Sequence, residues 1–307
     1  MPAADAPCPE QAFNATALKW HTCAWLLLPV LVFLAGWMHW YAALPLTLLT
    51  AAGLAPRKRK EPQTRDSLPA FPLFTRSSFL ALAAFAALTA LSGWGEWVNQ
   101  HPDHIVRNAC LRELVASPWP VIFSAGNVLI YNTGFWLVPA LAGKLAGLDA
   151  ARMLVVLWGA WGLFLSWLWL CVFSGRRSLL LALLMAAFGS LLNLQCWLGL
   201  NLFRLHYFGT AEQIMCSANA SIPVLLFFIF LASGRMPLYW MPILFAATAF
   251  YSPLAALGGL PLAACQWYRQ WRGVPPLRDV LLHPSFSASV LLGACFLLYY
   301  GTVNAPS

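Results

Sequence analysis

Between Gly93 and Glu113 the chain gathers residue types that do chemistry: Glu96, Asp103, His104, Arg107, Asn108, Arg112 and Glu113. The 307 residues include only ten acidic ones, and Glu96, Asp103 and Glu113 all fall in this island. A carboxylate beside a cation and an imidazole can take a proton from a hydroxyl while the positive groups hold a departing phosphate. In an apolar chain such groups persist only where they stay wet, pair or work. The bland alternative is pairing alone, because Asp103 and Arg107 are one helical turn apart.

His101-Pro102-Asp103-His104 reads as a helix start, with proline at the first helical position and an acid in the first turn. At the helical period Asp103, His104, Arg107 and Asn108 share an arc of about 140°, with Ile105, Val106, Ala109 and Cys110 opposite. That pattern predicts an interfacial helix with an acid, a base and a cation on its wet face. A second polar stretch, Arg204-Leu205-His206-Tyr207 followed by Glu212 and Gln213, offers more of the same groups. Taken singly, Arg204 and His206 read as helix-end side chains snorkelling to the interface.

The elements that position these groups belong to a membrane protein. Hydrophobic residues make up 61% of the chain and charged residues 9%, against about 25% charged in a soluble domain. Of the sixteen tryptophans, Trp37, Trp40, Trp94, Trp97, Trp119, Trp267 and Trp271 end apolar runs, where an indole favours the headgroup layer. The net charge of +8 does not point to nucleic acid. Its one cluster, Arg57-Lys58-Arg59-Lys60, sits beside an apolar hairpin and reads as a topology signal. The eight cysteines form no CxxC, and Cys110 and Cys216 are the pair placed to form a disulfide in an oxidising compartment. No HxxxH motif or Walker-type glycine loop is present, and a metal requirement stays open.

The expected fold is all-α: a single integral membrane domain, a polytopic bundle of about eight to nine segments, some short or re-entrant. Residues 1–22 form a cytoplasmic lead. Cys23–Met38 and Trp40–Ala55 make a tight hairpin that returns to the basic loop, residues 56–77, on the cytoplasmic side. Phe79–Trp94 then delivers the island to the outer face. Residues 95–152 form an outer loop containing the interfacial helix and an apolar segment broken by Pro118, Pro120, Gly126, Gly134 and Pro139. Reading that segment as re-entrant keeps Arg176 and Arg177 inside. Met153–Phe173 and Ser178–Phe203 cross next, residues 204–221 form a second outer loop, and Ile222–Ala232 returns. Leu238–Gln266 reads as a broken hairpin around Pro253, and Phe286–Tyr300 exits last.

Several stretches resemble uncharacterised bacterial multi-pass proteins of the GT-C glycosyltransferase type. They are Asp103-His104, Arg107-Asn108, Trp119-Pro120, Leu129-Ile130-Tyr131-Asn132, Leu137-Val138-Pro139-Ala140-Leu141 and Gly143-Lys144, with Tyr251-Ser252-Pro253 and Gly258-Gly259-Leu260-Pro261 further on. The likeness covers roughly residues 93–262. It implies transfer of a sugar from a polyprenyl-phosphate-linked donor at the extracytoplasmic face of a bacterial inner membrane. Asp103 is then the base and Glu96 the second acid, with His104, Arg107, Arg204 and His206 as phosphate partners. Membrane lipid and the lipid-linked sugar are the partners, and no cofactor is implied. Two other readings stand beside it: a transporter or flippase for a lipid-linked or small polar solute, and a structural membrane subunit without a site.

Overall fold

The computed structural model describes residues 15–55, 75–98, 100–124, 126–188, 209–271 and 276–301. The Arg57–Lys60 cluster, most of the basic loop, and Arg204 and His206 lie outside them. Runs of Leu, Ala, Phe and Trp with few glycines favour helix, and apart from one antiparallel bridge between Ile122 and Val128 the described elements are helical. They are α1 (Ala15–Trp37), α2 (Trp40–Leu54), α3 (Arg76–Leu91), α4 (Pro102–Ala116), α5 (Gly134–Ala146), α6 (Leu148–Ser174) and α7 (Leu179–Ala187). After the undescribed stretch come α8 (Thr210–Ala232), a 3-10 turn Leu238–Trp240, α9 (Met241–Tyr251), α10 (Pro253–Trp271), α11 (Leu277–Leu281) and α12 (Pro284–Gly301).

Among the described residues four helices are long and apolar enough to cross a membrane: Thr16–Trp37, Leu148–Ser174, Thr210–Ala232 and Pro284–Gly301. Of the eight to nine expected segments, some short or re-entrant, four are therefore of spanning length there, and most of the expected Ser178–Phe203 crossing lies outside the described residues. The difference is geometric. A helix rises about 1.5 Å per residue, so α2, α3, α5 and α9 fall short of a hydrocarbon core about 30 Å thick. Residues 204–221, read as a loop, are helical from Thr210 onward. Glu212 accounts for that start, since its carboxylate accepts the Gly209 backbone N–H at 2.9 Å and so caps the first turn.

Of the broken segments, α5 and α9 are buried in the bundle, while the turn at residues 122–124 and 126–128 and one face of α10 are exposed. Residues 118–133 fold as a small hairpin containing the cis Trp119–Pro120 bond. In it the Phe123 N–H meets the Asn127 carbonyl and the Leu129 N–H meets that of Val121. α5 then starts in the interior, where Gly134 lies against Phe250 and Tyr251, and returns to Gly147. α9 and α10 form the hairpin expected from Pro253, joined at Ser252.

Backbone groups freed by these breaks need partners where water is absent, and tyrosines supply them. The Tyr300 hydroxyl donates to the Phe250 carbonyl at 2.9 Å, and that of Tyr299 donates to Leu129 at 3.0 Å. Tyr251 repairs a third gap. Pro29, inside α1, lacks the N–H that would reach the Trp25 carbonyl, and the Tyr251 hydroxyl takes that carbonyl at 3.0 Å. Tyr251→Phe strands a buried acceptor, so a loss of about 1–3 kcal/mol in folding stability is expected. Thermal unfolding in detergent measures it.

Candidate functional site

The island is set by a turn that only special backbone geometry allows. Gly93, Gly95 and Glu96 have φ of 94°, 90° and 68°, and a side chain at Gly95 would crowd the Arg152 carbonyl at 3.1 Å. Glu96 holds left-handed backbone without being glycine, at a cost of about 1–3 kcal/mol. Its side chain offsets that cost. Arg112 grips both carboxylate oxygens, with Nε to Oε1 at 3.1 Å and Nη2 to Oε2 at 2.6 Å. Arg152 of α6 bonds the same carboxylate and also pairs with Asp149 at 2.8 Å. Partial burial pushes the Glu96 carboxyl up, but its bonds and charges with the two arginines outweigh this and hold it below the usual range. Glu96 is thus an ionised clamp between the turn, α4 and α6.

The α4 helix starts at Pro102 as expected. His101 caps it, its Nδ1 accepting the Asp103 backbone N–H at 3.3 Å, while the His101 N–H bonds His104 Nδ1 at 3.1 Å. The faces, however, only partly follow the expected sorting: Asp103 is exposed and Cys110 buried as expected, whereas His104 and Arg107 are buried and Ala109 is exposed. The buried stripe is His104, Arg107, Cys110, Leu111 and Leu114, and Ile105 and Val106 point outward. Cys110 and Cys216 are free thiols, so no disulfide joins them. Burial, with Glu113 adding to it, pushes the Cys110 thiol up to about 12, which leaves it protonated and unreactive.

The physical cause of the inward turn of His104 and Arg107 is α8. Its backbone leaves the helical region at Ser217 (φ −152°, ψ 43°), so carbonyls near the break need donors from elsewhere. The island provides them. Trp94 Nε1 donates to the Ile214 carbonyl at 2.7 Å, and His104 Nε2 donates to that of Met215 at 2.8 Å. The Ser221 hydroxyl reaches the Ser217 carbonyl at 2.9 Å, and Arg107 Nη2 donates to Ser217 Oγ at 3.3 Å. Trp94, read as an interfacial tryptophan, is a core anchor at 1% exposure. Its ring carries the Arg107 guanidinium 5.8 Å from the centroid and packs on Trp136. Trp94 and Trp136 are site residues that sequence reasoning missed. The glycines flanking Trp94 were the available signal that its ring turns inward.

Each candidate residue therefore has a place. Asp103 is exposed at the rim, 3.9 Å from Arg107 and 3.7 Å from His101. Arg107 is 8% exposed, and its Nε and Nη1 have no partner among the described residues. His104 is fully engaged: Nδ1 accepts, Nε2 donates, and the neutral tautomer follows. Burial first, and then the charges of Arg107 and His101, push its imidazole below the usual range. Its contribution to stability is therefore complete above the unfolded value, about 6.5, and declines as pH falls below it, because the unfolded chain then binds the extra proton. His104→Phe is expected to lose about 2–4 kcal/mol from two stranded backbone groups and to flatten the loss of melting temperature between neutral and mildly acidic pH. Melting curves of both proteins over that range check the sign.

The site brings Asp103, Arg107 and Ser217 together and keeps Glu96 apart in its own ion-pair cluster. Among the described residues no group of His, Cys, Asp and Glu gathers to hold a metal ion. Compared with known proteins, the chain matches no family, no curated protein and no solved structure. What is established is an all-α, membrane-embedded helical protein with a wet carboxylate beside a half-satisfied buried arginine.

Proposed function

We propose that the protein transfers a sugar from a polyprenyl-phosphate donor to a hydroxyl acceptor, working at the extracytoplasmic face as a GT-C-type glycosyltransferase. The observation that carries this reading is Arg107: a buried guanidinium whose Nε and Nη1 have no acceptor among the described residues, facing the exposed carboxylate of Asp103. A buried cation left short of acceptors is costly unless an anion completes it, and a donor phosphate does so. Asp103 accepts the acceptor's hydroxyl proton as its oxygen bonds to the anomeric carbon. The carbon–oxygen bond to phosphate breaks, the electron pair leaves with polyprenyl phosphate, and Arg107 steadies that charge. No general acid is required, because the phosphate departs as a stable anion.

In this reading Glu96 holds the turn that aims Asp103, and His104 holds α4 against the α8 break. Arg204 and His206 remain further phosphate partners, and the chain sits in a bacterial inner membrane with its N-terminus in the cytoplasm. A carrier would place ionisable groups near the middle of its spans, whereas Glu96, Asp103 and Arg107 all cluster about the turn and helix after α3. The test is incubation of the purified full chain with a polyprenyl-phosphate sugar labelled on the sugar. A transferase moves label from the lipid to an acceptor. A flippase relocates the intact donor, and a structural subunit leaves it unchanged.

A further inference from the structure

Helix α4 turns part of its polar face inward and leaves apolar side chains exposed. Arg107 and His104 point into the protein, Asp103 and Arg112 stay exposed, and Ile105 and Val106 are 70% and 58% exposed. With Pro102 and Ala109, also exposed, they form an uncharged stripe at the helical spacings i, i+3, i+4 and i+7. Asp103 lies on the edge of this stripe. Trp97 and Val98, just before the helix, are exposed as well.

What covers the stripe is indicated by its neighbours. α4 packs on α5 and α6, and the Glu96–Arg152 ion pair ties the preceding turn to the first turns of α6. The side chains exposed on the first half of the spanning helix α6 include Asp149, Met153 and Leu157, and Leu91 ends α3 exposed as well. The Arg112–Glu96–Arg152–Asp149 ion-pair cluster joins α4 to the start of α6, with Arg112 and Asp149 exposed. The apolar surface of α6 thus meets charged groups at the level of α4, as a span does where it enters the headgroup layer. A helix that presents Ile and Val outward beside a membrane span rests in the interfacial layer of the leaflet.

We infer that the Pro102–Ala109 stripe of α4 is embedded in the leaflet at this end of the bundle, so that Asp103 works at the lipid boundary on an acceptor hydroxyl carried by a membrane lipid. The acceptor clause rests on the transferase reading. The embedding of the stripe does not.

Two measurements separate them. The first uses the wild-type full chain in vesicles of phosphatidylethanolamine and phosphatidylglycerol doped with a diazirine-bearing phospholipid, with adducts mapped by mass spectrometry after irradiation. Adducts on Ile105, Val106 and Ala109 at yields like those on Met153 and Leu157 are expected, while a water-soluble carbene reagent marks Asp149. Labelling of the stripe by the aqueous reagent alone, or its cross-linking to a second copy of the chain, overturns the embedding. The second offers a labelled donor together with either a lipid-anchored alcohol or a soluble one. Confinement to the membrane raises the effective concentration of the anchored acceptor, and transfer to it is expected to exceed the soluble reaction by at least about tenfold. Equal or better transfer to the soluble alcohol overturns the acceptor clause. Transfer to neither removes that clause together with the transferase reading, and leaves the lipid adducts to decide the embedding.

Discussion

Replacement of Asp103 by asparagine is expected to reduce sugar transfer by about 10²- to 10⁴-fold, the range a positioned general base supplies. The fold has little stake in this carboxylate. Its side chain is 53% exposed, and its contacts to His101 and Arg107 are long, at 3.7 and 3.9 Å. Exposed pairs of that kind contribute little stability, so the melting temperature of Asp103→Asn should stay close to wild type. Donor binding should also persist, since Arg107 is untouched. An inactive, folded, donor-binding protein is the signature of a lost base. An active one removes Asp103 from the mechanism.

Arg107→Gln carries the second large effect. Loss of a preorganised cation at a departing phosphate is expected to lower kcat by about 10²- to 10³-fold, with weaker donor binding alongside. The stability change should run the other way from most core substitutions. The guanidinium is buried, with Nε and Nη1 unpartnered among the described residues, a condition that costs folding free energy. Glutamine removes the charge and keeps a donor for Ser217 Oγ, so the melting temperature should hold or rise while activity falls. Lysine should not restore activity, because a compact ammonium on a flexible stem cannot reproduce the fixed planar donors of the guanidinium. A severe drop in melting temperature, with activity falling only in proportion, would mark Arg107 as a purely structural residue.

Those expectations depend on contacts that the sequence revealed unevenly. The island, the helix start at Pro102 and the broken hairpin at Pro253 were legible because proline, glycine and charge act locally on the backbone. The orientation of α4 was not. Periodicity sorts residues into polar and apolar faces, and the default assigns the polar face to water. Here the neighbouring surface is a helix with misaligned carbonyls around Ser217, and it draws His104 and Trp94 inward. Nothing in the spacing of α4 encodes that neighbour. Glu96 shows the same limit. Its proximity to Asp103 in sequence suggested a second acid, while its fate was decided by Arg152, 56 positions away. Short segments such as Trp40–Ala55 were legible as short from their apolar lengths, but where each helix starts and stops is set by caps and breaks that hydrophobicity does not define.

The most direct measurement is turnover by the purified full chain in lipid vesicles supplied with a polyprenyl-phosphate sugar and a lipid-anchored alcohol. Free polyprenyl phosphate and glycosylated acceptor are quantified together, for wild type and for Asp103→Asn in parallel. The expected result is equimolar formation of both products by wild type and neither above background by the variant. No product from a folded wild-type protein, or equal product from both proteins, would contradict transfer at Asp103.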